Sequence, residues 1–274
     1  MKTKPHENDS VAPISFEDAA DRILSEADEW HRIMALESET TMQVFIDIKS
    51  PHAYLSIRPT LEVARDYKVQ IDFLPYTLSY ETLGVSSKVE PDMQRRPPSE
   101  AADRKARMYY ATARQYAALQ KLPFRSPNRL LNSDLAHRAF LFAKTQRLEI
   151  PFLMSIYVNG WGSGWRSYDL ESPELLEKTL KEVGASITGF EDFIAPNSTG
   201  AIQLEQWMKT AEKSGITGVP HYVFHDSERD RSLGLFGREH LSLIRRKFSS
   251  QGLARHKDVE PDFSHAWRGP DYEP

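Results

Sequence analysis

A serine stands where a strand-like segment gives way to a helix-like one. Residues 42–48 (MQVFIDI) are β-branched and aromatic, which favours a buried strand. Ser50 and Pro51 follow, and serine is a preferred N-cap while proline suits the first helical position. A helix N-terminus attracts anions, and a hydroxyl placed there can donate to a thiolate or an oxyanion. On spacing alone, a purely structural N-cap is the commoner explanation of Ser50.

A valine–proline pair precedes a second strand-like segment. In residues 215–223 (GITGVPHYV), Pro220 stands directly before a β-rich run, so it belongs at a strand start or a sheet edge. Cis peptide bonds occur before proline. A cis Val219–Pro220 bond would leave the Val219 backbone open to an extended peptide, whereas an ordinary turn would explain the segment equally well.

The chain has no cysteine, which excludes disulfides, thiolate metal sites and a cysteine nucleophile. Disulfide oxidoreductase chemistry needs thiolates, so the protein cannot perform it with sulfur of its own. The nine histidines show no spacing such as His-x-x-x-His, and we predict no metal. Any thiol handled by Ser50 must therefore come from another molecule.

Element order predicts how these residues are positioned. A helix from Pro51 lies between strands at 42–48 and 69–74, which makes a right-handed βαβ unit with a parallel pair. Strand signals return as a hairpin at 221–225 and 233–236, followed by a helix at 238–248. A βαβ and a ββα sharing one sheet predict an α/β, thioredoxin-like fold. The intervening helices are predicted at 101–119, 133–145, 173–183, 187–193 and 201–213.

These patterns divide the chain into four parts. We predict an N-terminal extension at 1–40, a thioredoxin-like domain at 41–77 and 214–250, an inserted all-helical domain at 78–213, and a tail at 251–274. A single amphipathic helix is expected at 15–36, packed on the outside of the fold. Phe263 and Trp267 are candidate anchors of the tail.

The composition limits the classes of partner that we expect and indicates a cellular compartment. The net charge of −4, with basic residues spread along the chain, predicts no nucleic-acid binding. The sequence has no apolar run of membrane-spanning length and no segment typical of a signal peptide, so we expect a cytoplasmic protein without a membrane partner.

The two segments together resemble the DsbA-like branch of the thioredoxin superfamily. Within it they are most similar to 2-hydroxychromene-2-carboxylate isomerases and kappa-class glutathione transferases. The shared features are a strand followed by Asp47-x-x-Ser50-Pro51-x-x-Tyr54, a helical insertion, Gly218-Val219-Pro220 before a strand, and Phe236-Gly237-x-Glu239-x-Leu241 at the last helix. The resemblance covers roughly residues 42–248.

The resemblance implies a role for individual residues. Ser50 would hydrogen-bond the sulfur of glutathione and favour its thiolate, and Val219, before Pro220, would pair with the cysteinyl backbone. Asn132 would face the site from the helical domain. The γ-glutamyl end would lie at the segment around Gly237, where Glu239 replaces the usual aspartate and Arg238 replaces a small or amide residue.

A second likeness concerns His52. Residues 50–53 match the Cys-Pro-His-Cys pattern of DsbA-type oxidants with both cysteines replaced, so His52 could stabilise a visiting thiolate by charge or by a hydrogen bond. A surface histidine on the first helical turn explains it as well. The glycine- and tryptophan-rich segment 161–166 is a candidate lid or aromatic wall, or an ordinary loop. The tyrosines at 109, 110 and 116 are expected to be core or rim residues.

The function expected from the resemblance is glutathione-dependent isomerisation. The thiolate would add to a double bond conjugated to a carbonyl, in an aromatic-derived enone or carboxylic acid of the kind met in aromatic compound catabolism. A kappa-type glutathione transferase is the first alternative, and a non-catalytic binding protein that kept the fold is the second. Relatives of this kind are commonly dimers, so a homodimer is a further expectation.

Overall fold

A four-stranded mixed sheet forms the centre of the protein. The computed structural model describes residues 16–79, 99–127 and 130–261. The strands follow the spatial order β2-β1-β3-β4, with β1 at Thr40–Ile46, β2 at Val69–Pro75, β3 at His221–Asp226 and β4 at Arg231–Phe236. β1 runs parallel to β2 and antiparallel to β3, and β3 pairs antiparallel with β4. This topology confirms the α/β, thioredoxin-like class.

The helices agree with most of the predicted segments. They are α1 (Phe16–Ser25), α2 (Ala27–Met34), α3 (Pro51–Asp66), α4 (Glu100–Leu119), α5 (Asp134–Thr145), α6 (Glu149–Ser163), α7 (Pro173–Glu182), α8 (Phe190–Ile194), α9 (Thr199–Lys213) and α10 (Leu241–Ser250). A 3₁₀ turn at Arg238–His240 precedes α10. Helices α4 to α9 lie between β2 and β3 in the chain, as a helical insertion requires. The residue boundaries of the four predicted parts stay a prediction.

The N-terminal segment forms two helices instead of the single one predicted. Ser25 donates its hydroxyl to the Arg22 carbonyl at 2.7 Å, a side-chain bond that competes with the helical ladder at this point. The Glu26 carboxylate accepts from the indole of Trp30 at 3.3 Å and pairs with Arg58 of α3 at 2.8 Å. Trp30 is fully buried. Both helices therefore form part of the core.

Helix α6 was not predicted from the sequence because it is apolar on every face. Nearly all of its residues are buried, so it lacks the polar face that gives a surface helix its period. Trp161 and Trp165 are 0% and 2% exposed, which makes the prediction of a lid or substrate wall at 161–166 wrong. A methyl group at residue 160 would collide with the Trp165 ring, so Gly160 is what admits that ring to the core.

The described part of the C-terminal tail packs on the end of α3. Ala254 forms an isolated bridge with Tyr67, and the Lys68 N–H donates to the Leu253 carbonyl at 2.8 Å. The proposed anchors Phe263 and Trp267 lie outside the described residues. Within the described ranges, no helix has the length and hydrophobicity needed to cross a bilayer.

A buried carboxylate holds the chain between β1 and α3. Asp47 is fully buried, and its carboxylate accepts from the Ser133 hydroxyl at 2.6 Å and from the Leu78 N–H at 2.7 Å. The Lys49 ammonium lies 2.8 Å away. Burial alone would raise the pKa of Asp47, but Lys49 and the hydrogen bonds outweigh burial and hold that pKa below its ordinary value.

His137 of α5 supports the same stretch of chain through both of its ring nitrogens. The Ile48 N–H donates to its Nε2 at 3.2 Å. Thr77 donates its hydroxyl to Asp134 at 2.8 Å, so it accepts from the His137 Nδ1–H at 2.9 Å. These bonds assign the proton to Nδ1. His137 Nε2 also lies 3.4 Å from the Asp47 carboxylate.

Truncating Trp30 tests whether the N-terminal helices belong to the core. Trp30→Ala should lower the free energy of unfolding by about 3–5 kcal/mol, since a fully buried indole is removed. Arg32→Ala, on the same helix with an exposed side chain, should change it by less than about 0.5 kcal/mol. Urea denaturation followed by circular dichroism measures both. Equal, small effects would contradict the packing of α2.

Replacing Asp47 tests the polar network. Asp47→Asn should destabilise the fold by about 3–5 kcal/mol, because it leaves the buried Lys49 ammonium without the carboxylate beside it. The double variant Asp47→Asn, Lys49→Met should recover part of the loss. Because the folded-state pKa of Asp47 is depressed, the wild type should lose this stability as pH falls below about 3.9, and Asp47→Asn should not. Denaturant titrations between neutral and acid pH would refute the network if the two proteins respond alike.

Candidate active site

Ser50 caps α3 with its side-chain oxygen, which leaves its hydroxyl hydrogen able to donate to a ligand. Its Oγ accepts from the Ala53 N–H at 3.3 Å, and its carbonyl accepts from the Tyr54 N–H at 3.1 Å. Ser50 is 5% exposed. Among the described residues, neither the Ser50 hydroxyl hydrogen nor the backbone N–H of His52 has a hydrogen-bond acceptor. Both donors, together with the helix dipole, favour a negative charge at this point.

Sheet register brings the Val219–Pro220 pair to the same edge. Phe45 lies opposite His221 in the antiparallel β1–β3 pair, so the end of β1 and the start of β3 adjoin. The Val219–Pro220 bond is cis, the first of the two conformations that the sequence allowed. Throughout the described residues, no hydrogen bond engages the Val219 backbone. The edge next to Ser50 therefore offers an unpaired main chain to a ligand.

The turn after β4 adds Gly237 and Glu239 to this edge. The Gly237 N–H donates to the Pro220 carbonyl at 2.9 Å. Gly237 has a φ of +110°, and any side chain there would collide with the Glu239 carboxylate. Glycine is thus favoured by the backbone angle, since a side chain at this φ would be strained. The predicted γ-glutamyl segment lies beside Pro220.

Arg238 points from this turn towards the helical insertion. Its guanidinium carbon lies 3.8 Å from the centre of the Tyr116 ring on α4, and the residue is 5% exposed. Burial lowers the pKa of Arg238, although arginine stays protonated in proteins. One terminal nitrogen, Nη1, is buried without a hydrogen-bond partner. Tyr116, which sequence analysis expected to be core or rim, thus supports a residue of the site.

His52 contacts the middle of α4 and lies within reach of the charge of Arg238. Its ring meets Tyr109 edge to face at 5.9 Å between centroids. Burial, and then the charge of Arg238, lower the pKa of His52, while Glu239 opposes them. The ring is therefore neutral at neutral pH. Of the two roles that sequence analysis left open for His52, a hydrogen bond is favoured over a positive charge.

Asn132 lies two residues before α5, next to the polar network around Asp47. Its side-chain oxygen accepts from the Asp134 N–H at 3.0 Å, which caps the helix, and the residue is exposed. The following residue, Ser133, is bound to Asp47 and lies 3.2 Å from the Lys49 ammonium. Sequence analysis missed Lys49 and the supporting role of Asp47. The available signal was two charges beside the strand-like run at 42–48.

A separate cleft of about 480 Å³ opens between α5 and α9. It contains none of the predicted site residues. Lys144 is a charged group on its wall, and its ammonium is held by Asp72 and the Phe73 carbonyl. The cleft is therefore distinct from the sheet edge that holds Ser50 and Val219. Its lining residues are Leu141, Lys144, Thr145, Gln203, Gln206, Trp207 and Thr210.

Solved structures share this fold at low sequence identity. A 2-hydroxychromene-2-carboxylate isomerase is 17% identical, over 77% of this chain and 96% of its own, with a TM-score of 0.58. A probable DsbA oxidoreductase from Streptomyces coelicolor is also 17% identical, over 81% and 93%, with a TM-score of 0.58. The cytosolic disulfide reductase DsbM from Pseudomonas aeruginosa is 13% identical, over 77% and 97%, with a TM-score of 0.53. A structure of DsbM with GSH has a TM-score of 0.51.

Family membership follows from a match over most of the chain. No curated protein matches this sequence, and the identities above show similarity of fold alone. A family model described as a DsbA-like thioredoxin domain matches residues 41–249, which include every predicted site residue. The chain therefore belongs to the DsbA-like thioredoxin domain family.

Proposed function

We propose that this protein is a glutathione-dependent isomerase of conjugated, aromatic-derived enones or carboxylic acids. One observation carries the proposal. The Ser50 hydroxyl hydrogen, which has no acceptor among the described residues, lies at the N-terminus of α3 and at the same sheet edge as the unpaired Val219 backbone. In a chain without cysteine, such an anion-binding site suits a thiolate that belongs to another molecule.

Glutathione is the thiol that this edge would accommodate. The Val219 main chain, which forms no hydrogen bond in the described residues, would pair with the cysteinyl unit, and the Glu239 carboxylate would accept from the γ-glutamyl ammonium. Asn132 would contact the tripeptide from the helical side. The structure of DsbM with GSH supports the choice by likeness of fold. Ser50 and the His52 N–H would then stabilise the thiolate by hydrogen bonds, and His52 would assist as a neutral ring.

The reaction follows from a stabilised thiolate. The sulfur attacks the β-carbon of the conjugated double bond, a carbon–sulfur bond forms, and the electron pair moves to the carbonyl oxygen. The former double bond is now single and rotates. Collapse of the enolate expels the thiolate, which restores the alkene with altered geometry and consumes no glutathione. The protein contributes mainly by positioning the two reactants and by supplying the thiolate near neutral pH.

Removal of the Ser50 hydroxyl is the primary test. Ser50→Ala should reduce kcat/KM by about 10²-fold, the usual effect of losing one preorganised donor. Its control is Ser172→Ala, which removes the cap of α7, also at 3.3 Å. Each variant should lose about 1 kcal/mol of stability, whereas only Ser50→Ala should lose turnover. The assay follows the absorbance of cis-configured aromatic keto acids with glutathione present. Equal turnover by the two variants would remove Ser50 from the mechanism.

Product mass distinguishes the isomerase from its alternatives. An isomerase leaves the substrate mass unchanged, and a kappa-type transferase leaves a conjugate heavier by one glutathione. Calorimetric titration with glutathione covers the non-catalytic alternative. An absence of binding at millimolar glutathione would overturn the proposal.

The titration of His52 is a further test of the site. Because burial and Arg238 lower its folded-state pKa, the ring should titrate below the ordinary value of about 6.5. The associated stability is present above about pH 6.5 and is lost as pH falls from there through the lower folded-state pKa. Arg238→Gln should raise the pKa of His52, and Glu239→Gln should lower it further. Two-dimensional NMR of the imidazole C–H groups measures the shifts, with the signal assigned by its loss in His52→Asn. Shifts of the opposite sign would contradict the geometry.

A further inference from the structure

Arg238 is a buried cation that forms no ion pair with any carboxylate in the described part of the chain, although the nearby charge of Glu239 opposes the lowering of its pKa by burial. Three arginines in the described part of the chain are at least nine-tenths buried: Arg58, Arg238 and Arg245. Arg58 pairs with Glu26 at 2.8 Å, and Arg245 pairs with Asp66 at 2.7 Å. Within the described residues, no carboxylate lies within ion-pair distance of Arg238, and its Nη1 has no hydrogen-bond partner. Burial of an unpaired charge is costly, so the position requires an explanation beyond stability.

The surroundings of Arg238 suit an anion with a flat body. The guanidinium packs on the Tyr116 ring at 3.8 Å, which fixes its plane and leaves its nitrogen edge to donate. Tyr109 lies seven residues earlier on α4, so the two rings share one face of that helix. Arg238 also lies close enough to His52 to lower its pKa, so it borders the N-terminus of α3. A carboxylate is the planar anion that a guanidinium edge recognises best.

Neighbouring side chains assign that carboxylate to the acceptor. Glu239 lies against Gly237 and thus beside Pro220, on the side proposed for the γ-glutamyl end. The Arg238 guanidinium packs on the Tyr116 ring of α4. The aromatic face of α4 is where a flat acceptor would lie if the thiolate is seated at Ser50.

We propose that Arg238 is the receptor for a carboxylate of the acceptor, which makes the enzyme selective for aromatic unsaturated acids over their neutral analogues. The assignment to the acceptor rests on the proposed function, but carboxylate binding does not require the thiol. The ion pair would fix one end of the acceptor on α4 and direct its double bond towards the sulfur. Arg238 is then a specificity-determining residue.

Binding of trans-cinnamate to the full chain, without glutathione, tests the proposal. Cinnamate should bind at least about tenfold more tightly than cinnamamide, which has the same shape and no charge. Arg238→Gln should weaken cinnamate at least about tenfold and leave cinnamamide unchanged. The control is Lys105→Met, which removes an exposed cation 5.9 Å from the Tyr109 ring and should change both affinities by less than about twofold. Calorimetry gives the affinities, and the His52 NMR signal should shift when cinnamate binds.

Further measurements separate this proposal from the proposed function. Glutathione affinity should stay within about twofold in Arg238→Gln, and Ser50→Ala should still bind cinnamate. Arg238→Gln should melt no lower than the wild type, since an unpaired buried charge is removed, and Arg238→Lys, which keeps the charge, should weaken cinnamate less. Unchanged cinnamate binding in Arg238→Gln would overturn the proposal. An equal loss of glutathione and cinnamate would also overturn it, because the carboxylate received would then be that of glutathione. A protein that binds cinnamate through Arg238 but lacks turnover would refute the proposed function alone.

Discussion

The hydrogen bonds and the ion pair of the buried Asp47 carboxylate are the interactions on which the rest of the site depends. Asp47 accepts hydrogen bonds from the start of α5 and from the chain after β2, and it pairs with Lys49. Its backbone carbonyl receives the Ser50 N–H at 2.9 Å and the Tyr157 hydroxyl of α6 at 3.2 Å. One residue thereby joins the sheet to the helical insertion and sets the direction in which the chain enters α3. The hydrogen bonds of Asp47 therefore fix the position of Ser50.

The site consists almost entirely of donors. Ser50, the His52 N–H and Arg238 all present hydrogen to one region, and Glu239 is the single acidic group of the predicted set. A cysteine at the cap would supply a sulfur anion of its own, whereas a serine can only stabilise one that arrives. A group of donors without a thiol of its own is the arrangement on which the proposed use of an external thiol rests.

Sequence patterns predicted the fold better than the chemistry of its interior. Ser50 and Pro51 marked a helix start because capping and proline geometry act over a few residues, and the strands around them followed from local composition. Helix α6 was missed since an all-apolar helix has no period, and the lid at 161–166 was wrong because Gly160 admits Trp165 to the core. The pairing of Asp47 with α5, and the missing partner of Arg238, depend on residues distant in the chain. Neither leaves a local pattern.

The contact between Glu26 and Arg58 has a consequence for domain dissection. The family match begins at residue 41, yet α2 packs on α3 and α6 and supplies the counter-charge for an arginine of the helix that Ser50 caps. A fragment trimmed to the matched boundaries would uncover apolar surface on both helices and remove the ion pair between Glu26 and Arg58. The folded unit of this chain is therefore larger than the region that the family model matches. The N-terminal helices are part of the same hydrophobic core.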